Sequence, residues 1–320
     1  MAIMTETSTV APAALTQLER QLRQVVRGGS DSIRLALVAL LADGHLLIED
    51  VPGVGKTTLA HALARSLDCG FQRIQFTSDL LPSDVIGISI FNQARQEFEF
   101  HPGPIFTQIV LVDEINRTTP KTQSALLEAM SERQVTVDNQ SRPLPRPFLV
   151  MATQNPVEHH GTYPLPESQL DRFLLRIHMG YPDLDNERAI VRGEAGADLL
   201  PGLRPVLNSD EVLSLQRQTR AVRVDEALVD YALELARATR AHPALALGVS
   251  PRGSAMLRRA AQAMARLENR DYCVPADFKR LVVPVFAHRL IVQNLYNGSR
   301  ASQTADQIVA EIRDSTSLPE

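Results

Sequence analysis

The feature that most constrains the fold of this chain is an apolar segment that ends in a glycine-rich loop and continues into a helical pattern. Residues 46–48 are apolar and are typical of a short buried strand. The run VPGVGKTT follows at residues 51–58, and residues 59–67 then repeat leucine at every fourth position, which predicts a helix. A glycine-rich loop between a strand and a helix directs several backbone N–H groups toward one point, where they can bind phosphate oxygens. The segment therefore predicts an α/β fold that carries a phosphate site.

The loop nearly matches the phosphate-binding pattern G-x-x-x-x-G-K-[ST], but Asp50 stands where the pattern has its first glycine. Lys56 would reach the β- and γ-phosphates, and the hydroxyl group of Thr57 would bind Mg²⁺. The alternative is a tight strand-to-helix turn that happens to contain a lysine. On the nucleotide interpretation, the residues predicted to bind are Pro52, Gly53, Val54, Gly55, Lys56, Thr57 and Thr58.

The basic residues of the chain favour the nucleotide interpretation. Of the 33 basic residues, three are lysines, at positions 56, 121 and 279, and the others are arginines. A chain that nearly always uses arginine therefore places a lysine in the loop. A compact ammonium group on a flexible stem fits between two phosphates, whereas a planar guanidinium group does not.

Two further apolar runs end in polar residues that suit nucleotide hydrolysis. Residues 109–112 predict a buried strand that ends in Asp113 and Glu114. Ligands of open α/β sheets bind at the carboxyl ends of the strands, where Asp113 can hold the Mg²⁺ shell and Glu114 can polarise a water molecule. The strand predicted at residues 148–152 is followed by Asn155, which would lie beside that water if the two strands are neighbours. The alternatives are a charged strand terminus and an asparagine in a turn before proline.

The pattern along the chain predicts two domains. Strand-type runs alternate with helical spacing as far as Tyr181, which favours a doubly wound parallel sheet. Beyond it, helical spacing predominates, with Ser209, Asp225 and Ser250 as candidate caps and Pro275 as a helix start. We predict a disordered N-terminus at residues 1–13, a nucleotide-binding αβα domain at 14–182 and a smaller all-α domain at 183–315. Alternating apolar positions also predict β-hairpins at residues 84–100 and 132–142.

The charge and composition of the chain disfavour several classes of protein. The net charge of −4 gives no general attraction to nucleic acids or to anionic membranes. Cys69 and Cys273 are expected to be reduced, as in a cytoplasmic protein. The apolar run at residues 35–42 is far shorter than a membrane span, and the first dozen residues lack the pattern of a signal peptide. We therefore expect a cytoplasmic protein without membrane insertion and without nucleic acid as its partner.

Three runs carry a resemblance to a known family. They are GPIFTQIVLVDEINRTTPKTQSALLEAMSERQVTV (103–137), ATQNPVEHHGTYPLPESQLDRFLLRI (152–177) and GVSPRGS (248–254). In order and content they resemble the MoxR family of AAA+ ATPases, and the match extends over roughly residues 20–295. The resemblance implies a P-loop AAA+ core with an αβα parallel sheet, a smaller all-α lid domain, ATP and Mg²⁺ as cofactors, and a homo-oligomeric ring, usually a hexamer.

The resemblance also implies roles for individual residues. Lys56 and Thr57 belong to the Walker A loop, and Asp113 and Glu114 to Walker B. Asn155 resembles sensor 1, Arg172 the arginine finger and Arg252 sensor 2. Val26 to Gly28 would lie near the adenine. We expect Arg172 to act on the nucleotide of a neighbouring subunit, where such residues raise the rate by about 10³–10⁵; Arg117 is a second candidate.

Asp50 is the departure from the family loop. We expect this residue to need an unusual backbone angle, which aspartate tolerates better than most residues. A carboxylate that faces the phosphates would oppose binding. We therefore expect its side chain to point away from them, so that nucleotide binding is retained.

The family interpretation predicts an ATPase that remodels or matures another protein. The hairpin at residues 84–100 resembles the insert that faces the pore of such rings, and the hairpin at 132–142 would be a second moving element. A protein with a von Willebrand factor A domain is implied as a partner by the family alone. The alternatives are a nucleic-acid motor, a small-molecule P-loop kinase and a nucleotide-gated scaffold with negligible turnover.

Overall fold

A computed structural model describes residues 7–155, 162–293 and 304–319. In chain order its strands are β1 (Leu46–Glu49), β2 (Phe71–Gln75), β3 (Gly87–Asn92), β4 (Glu97–Pro102), β5 (Ile109–Asp113), β6 (Gln134–Val137), β7 (Gln140–Pro143), β8 (Leu149–Gln154), β9 (Leu175–Ile177), β10 (Leu245–Leu247) and β11 (Ile291–Val292). Its α-helices are α1 (Thr7–Val25), α2 (Ser30–Leu41), α3 (Lys56–Ser66), α4 (Pro82–Ile86), α5 (Pro120–Glu132), α6 (Glu167–Leu170), α7 (Leu184–Val191), α8 (Ser209–Arg220), α9 (Glu226–Ala241), α10 (Pro251–Leu267), α11 (Pro275–Phe286) and α12 (Ala305–Ser315). No helix within these described ranges combines the length and the apolar character that crossing a bilayer requires.

The contacts divide the chain into two compact units. Unit 1 contains Met1–Leu37, His45–Leu165 and Ile177–Leu215, and unit 2 contains Val38–Gly44, Pro166–Arg176 and Gln216–Glu320. The predicted domain boundary between residues 182 and 183 stays a prediction. Residues 177–215 stay with unit 1 because their backbone is bonded to it: Gly196 N donates to Val25 O, and Val206 N donates to Ser66 O.

Unit 1 is built around four strands in the order β2-β5-β8-β1. The pairs β2–β5, β5–β8 and β8–β1 are parallel. All five residues of β5 are buried, as are the first five of β8, which is typical of parallel strands covered on both faces. The predicted doubly wound α/β fold is therefore confirmed. Since β8 lies between β1 and β5, the carboxyl ends of these three strands lie side by side.

The first helix differs from the prediction at its start. We predicted disorder at residues 1–13, but α1 begins at Thr7, so residues 7–13 are helical; residues 1–6 lie outside the described ranges. Alanines at 11, 13 and 14 have high helix propensity, and Leu15, Leu18 and Leu22 anchor the helix because each is at most 1% exposed.

Both predicted hairpins of unit 1 are confirmed. Strands β3 and β4 pair antiparallel with Phe91 opposite Phe98, and β6 pairs with β7 with Val135 opposite Arg142. The β3–β4 hairpin exposes large apolar side chains, and Phe98 is the most exposed of them at 73%. The ring of Phe98 packs edge-on against that of Phe91.

Unit 2 is mainly helical, with a short antiparallel pair formed by β10 and β11. Two predicted caps are confirmed, since Asp225 Oδ1 accepts from Ala227 N and Ser250 Oγ accepts from Gly253 N. The prediction that Ser209 caps α8 is wrong. Asn208 caps it instead, because its Oδ1 accepts from Glu211 N while Glu211 accepts from Asn208 N.

A buried charged network organises the start of α10 within unit 2. Arg289, whose side chain is 2% exposed, donates from Nε to Asp171 Oδ1 at 2.9 Å. Ser250 Oγ donates to the other carboxylate oxygen of Asp171 at 3.1 Å. Burial lowers the pKa of Arg289 to about 10, although Asp171 opposes that shift. The network thus joins the residue before Arg172 to the cap of the helix that carries Arg252.

The buried imidazole of His288 is expected to make the stability of the fold depend on pH. Burial lowers its pKa well below the ordinary value of 6.5, and the charges of Arg289 and Arg176 act in the same direction. Below pH 6.5, His288 is therefore protonated in the unfolded state but stays neutral in the folded state. We expect the free energy of unfolding to be unaffected by His288 above that pH and to fall by about 1.4 kcal/mol per pH unit below it.

Urea unfolding of the wild type and of His288→Gln between pH 5.5 and 7.5 measures this effect. The wild type should lose more stability on acidification than the variant, whatever the variant's stability at pH 7.5. Parallel pH profiles would contradict the assignment. His101→Gln is the control, because His101 is an exposed histidine of β4, and its pH profile should parallel that of the wild type.

Candidate functional site

The loop after β1 owes its shape to two glycines in the left-handed region. Gly53 has φ +86° and Gly55 has φ +93°, conformations that other residues adopt only with strain. A Cβ atom on Gly53 would meet nothing within 4 Å, so the backbone angle and not the available space requires glycine there. Gly55 is the N-cap of α3, and Lys56 is the first residue of that helix. The loop therefore ends at a helix N-terminus, which favours anions.

Lys56 is held inside the loop. Its Nζ donates to the carbonyl oxygen of Asp50 at 2.9 Å. Partial burial lowers the pKa of Lys56, and the nearby carboxylates of Asp50, Asp113 and Glu114 oppose that shift. The ammonium group is therefore partly desolvated among carboxylates, a setting in which a bound polyanion would gain strongly from it.

Asp50 directs its carboxylate away from this site, as we predicted. Its Oδ1 accepts from Val51 N at 2.9 Å, and its Oδ2 accepts from Met179 N at 2.5 Å and Gly180 N at 2.7 Å. The predicted unusual backbone angle is wrong, since Asp50 is not among the residues with positive φ. The reason is that Asp50 N donates to Gln154 O, which extends the β1–β8 ladder by one residue.

Asp113 closes β5 with its carboxylate held on both sides. Arg73 Nε donates to Oδ2 at 2.6 Å, and Thr153 Oγ1 donates to Oδ1 at 3.2 Å. Thr153 also accepts from Glu114 N at 3.0 Å, so its hydroxyl joins the ends of β5 and β8. Asp113 itself is only 7% exposed, which fixes its orientation.

Glu114 follows β5 in a strained conformation. Its backbone is left-handed, with φ +58° and ψ +51°, which costs about 1–2 kcal/mol for a residue with a side chain. Its carboxylate oxygen Oε2 accepts from Gln75 Nε2 at 2.7 Å and lies 3.1 Å from Arg117 Nε. Strain of this kind persists where surrounding bonds impose it, and it directs the Glu114 carboxylate into the cleft described next.

The loop and the strand ends enclose a cleft of about 350 Å³. Its lining is Pro52, Gly53, Gly55, Lys56, Thr57, Thr58, Arg73, Gln75, Asp113, Glu114, Thr153 and Asn155. The structure thus brings most of the predicted loop residues together with the predicted hydrolytic residues. Val54 belongs to the loop but does not line the cleft.

The other predicted site residues lie elsewhere. Val26 is buried just after α1, and Gly28, with φ +74°, would bring a Cβ atom to within 3.1 Å of Pro182 Cα. Neither of them lines the cleft. Arg172 and Arg252 belong to unit 2, where Arg252 occupies the exposed first turn of α10. The roles of these four residues remain predictions.

Three residues of the cleft were not predicted from the sequence: Arg73, Gln75 and Thr153. The strand register is what would have identified them, because Gln75 of β2 pairs with Asp113 of β5. We did not predict which strand lies beside β5. Without the strand order, polar residues on an edge strand are indistinguishable from a solvated surface.

The cleft suits a magnesium ion that arrives with a nucleotide. Within the described ranges, no three His, Cys, Asp or Glu side chains cluster in a way that could hold a metal by themselves. Thr57 and Asp113 line the cleft and offer oxygen atoms, the ligands that Mg²⁺ prefers. In nucleotide sites Mg²⁺ takes one or two such ligands and completes its shell with phosphate oxygens and water. The donor set therefore fits Mg²⁺.

Comparisons with known proteins agree with this geometry. Residues 45–175 match the family described as "ATPase family associated with various cellular activities (AAA)", and residues 237–312 match the AAA lid domain. YeaC of Bacillus subtilis is 50% identical, over 93% of this chain and 92% of its own. Chaperone MoxR1 of Mycobacterium tuberculosis is 39% identical, over 96% of this chain and 84% of its own. A crystal structure from Cytophaga hutchinsonii, described as a candidate ATPase, superposes with a TM-score of 0.89 at 38% identity and covers 98% of this chain and 97% of its own.

Proposed function

The chain belongs to the MoxR family of AAA+ ATPases, and on that basis we propose that it hydrolyses ATP with Mg²⁺ and couples hydrolysis to the remodelling of a partner protein. The observation that carries the proposal is the meeting of Lys56, Asp113 and Glu114 in one cleft beside a left-handed glycine loop. A phosphate site without hydrolysis would need the loop and the lysine, but not a carboxylate held at the cleft by a strained backbone.

Each residue of the cleft has a separate role in the proposed hydrolysis of ATP. The loop N–H groups and the ammonium group of Lys56 bind the β- and γ-phosphates. Glu114 accepts a proton from the attacking water, and Asn155 orients that water. When bound, Mg²⁺ would be held by Thr57 and Asp113 and would neutralise charge on the phosphates. Thr153 and Arg73 keep the Asp113 carboxylate in place through the bonds already described.

Ring assembly completes the proposed site. We assign Arg172 to the γ-phosphate of a neighbouring subunit, with Arg117 as a second candidate, and Arg252 to the γ-phosphate of its own. Val26 to Gly28 are assigned to the adenine. The ring is proposed to be a hexamer that works in the cytoplasm.

The exposed apolar side chains of the β3–β4 hairpin support a protein client. Ile88, Ile90, Phe91 and Phe98 are 44–73% exposed. Large apolar side chains grouped on one exposed element mark interaction surfaces more often than inert ones. A protein with a von Willebrand factor A domain is the partner that we propose from the family.

Phosphate release from ATP and Mg²⁺, measured without any acceptor molecule, tests the proposal. Turnover under these conditions supports an ATPase, whereas turnover that requires a small-molecule acceptor would identify a kinase. Salt-sensitive DNA binding would support a nucleic-acid motor, which the net charge of −4 does not favour. Nucleotide binding without turnover would support the third alternative, a nucleotide-gated scaffold.

Lys56→Ala is expected to abolish measurable ATP binding. The variant loses charge-assisted hydrogen bonds to two phosphates, each worth about 1.5–3 kcal/mol, so the dissociation constant should rise by a factor of about 10² or more. Titration calorimetry with ATP measures this change. Lys121→Ala, which alters an exposed lysine of α5, is the matched control and should bind as the wild type does. Normal affinity in Lys56→Ala would refute the loop assignment.

A further inference from the structure

Asp50 occupies the position where the phosphate-loop pattern has glycine, and its contacts are unusual for that position. Its carboxylate accepts hydrogen bonds from three backbone N–H groups, of Val51, Met179 and Gly180. Two of these donors lie in a segment 129 and 130 residues further along the chain. A glycine at position 50 could make neither long-range bond. The side chain therefore joins the loop to a second segment of unit 1.

The same two segments are joined at other points. His178 Nδ1 lies 2.7 Å from Glu49 O, one residue before Asp50. The terminal methyl group of Met179 would lie 3.8 Å from a Cβ atom built on Gly55. Residues 178–180 thus pack along the loop that ends at Lys56, and Asp50 supplies the charged part of that contact.

The segment also reaches the turn between α1 and α2. Ser32 Oγ donates to His178 O at 2.9 Å, and a Cβ atom on Gly29 would lie 3.6 Å from Met179 O. Pro182 lies against Gly28, as described above. The segment at 178–182 therefore contacts the phosphate loop on one side and residues 28–32 on the other.

We propose that Asp50 is a positioning residue, which sets the distance between the phosphate loop and residues 28–32 by fixing residues 178–180. The inference rests on the proposed function, since it assumes that a nucleotide occupies the cleft with its adenine at residues 26–28. The carboxylate does not touch the nucleotide. It determines how well the nucleoside end of ATP fits when the phosphates are bound, so its effect falls on ATP and not on a bare polyphosphate.

The test is to measure the dissociation constants of ATP and of inorganic tripolyphosphate for the full chain, with Mg²⁺, in the wild type and in Asp50→Gly. Asp50→Gly restores the standard loop pattern and removes a negative charge, so charge alone predicts tighter binding of both ligands. Our proposal predicts that ATP binds about tenfold more weakly while tripolyphosphate binds as tightly or more tightly, since hydrogen bonds to a charged group are lost. ATP affinity that is unchanged or improved, or an equal change for both ligands, would overturn the proposal.

Two further variants separate positioning from general damage to the fold. Asp50→Asn keeps an oxygen that can accept from Met179 N and Gly180 N, so it should recover most of the ATP affinity that Asp50→Gly loses. Asp183→Ala is the matched control, because it also removes a carboxylate that accepts from a backbone N–H group, here Asn186 N at the start of α7. It should leave the ratio of the two dissociation constants unchanged. If the wild type binds neither ligand, the proposed function fails; if it binds both and the ratio stays constant in Asp50→Gly, only this inference fails.

Discussion

Glu114→Gln is expected to bind ATP with nearly wild-type affinity and to hydrolyse it about 10²–10⁴-fold more slowly. The amide keeps the size of the side chain and can still bond to Gln75, but it cannot accept a proton from water. The Glu114 carboxylate is well placed for that step, since Glu114 lines the cleft and its own backbone N–H group donates to Thr153. Single-turnover hydrolysis and calorimetric binding, measured on the same protein, separate the two effects.

The matched control for this variant is Glu128→Gln, on the exposed face of α5. It changes the net charge by the same amount and should hydrolyse ATP at the wild-type rate. Wild-type turnover in Glu114→Gln would show that another group accepts the proton. Since the variant should stay loaded with ATP, affinity capture with it is also the most direct way to find the partner protein.

Arg172→Ala is expected to bind ATP and to lose turnover by a factor of about 10³–10⁵, the range found for arginine fingers. The guanidinium group would stabilise the charge that develops on the γ-phosphoryl group of the neighbouring subunit. The loss should therefore appear in kcat, with little change in the dissociation constant of ATP. Arg188→Ala, which alters an exposed arginine of α7, is a control that should retain activity.

Mixing variants tests whether Arg172 acts across a subunit boundary. An Arg172→Ala subunit keeps Glu114, and a Glu114→Gln subunit keeps Arg172. Where the first subunit binds the nucleotide and the second supplies the arginine, the site between them contains both functional groups. Mixed rings should recover part of the activity that neither variant has alone. Wild-type subunits mixed with Arg172→Ala show whether mixed rings turn over at all. If they do, and the two variants together recover nothing, action across the boundary is contradicted.

The sequence was sufficient for the features that depend on local pattern. Continuous apolar runs identified β5 and β8, and the glycine spacing identified the loop around Lys56, since parallel strands and left-handed turns leave strong local signals. The caps at Asp225 and Ser250 followed from side-chain chemistry at a helix start. Each of these features is decided by residues that lie within a few positions of one another.

The features that escaped prediction depend on contacts between distant segments. Gln75 and Thr153 join the site through strand order, which one sequence does not encode locally. The extended backbone of Asp50 follows from a bond to Gln154, and its carboxylate contacts from a segment more than a hundred residues away. The residue type alone predicted that the Asp50 carboxylate points away from the phosphates, but it did not predict which backbone N–H groups donate to that carboxylate.

Because the chain has only three lysines, a reagent that modifies lysine can report on Lys56 in the cleft. Lys121 and Lys279 are exposed, and Lys279 lies 3.8 Å from Asp314, whereas Lys56 is partly buried with a lowered pKa. Because Lys56 lines the cleft, a bound nucleotide would shield its amine, whereas the other two lysines would stay exposed. An amine-specific acylating reagent, followed by mass spectrometry, would thus report occupancy of the cleft directly, with the two surface lysines as internal standards in every sample.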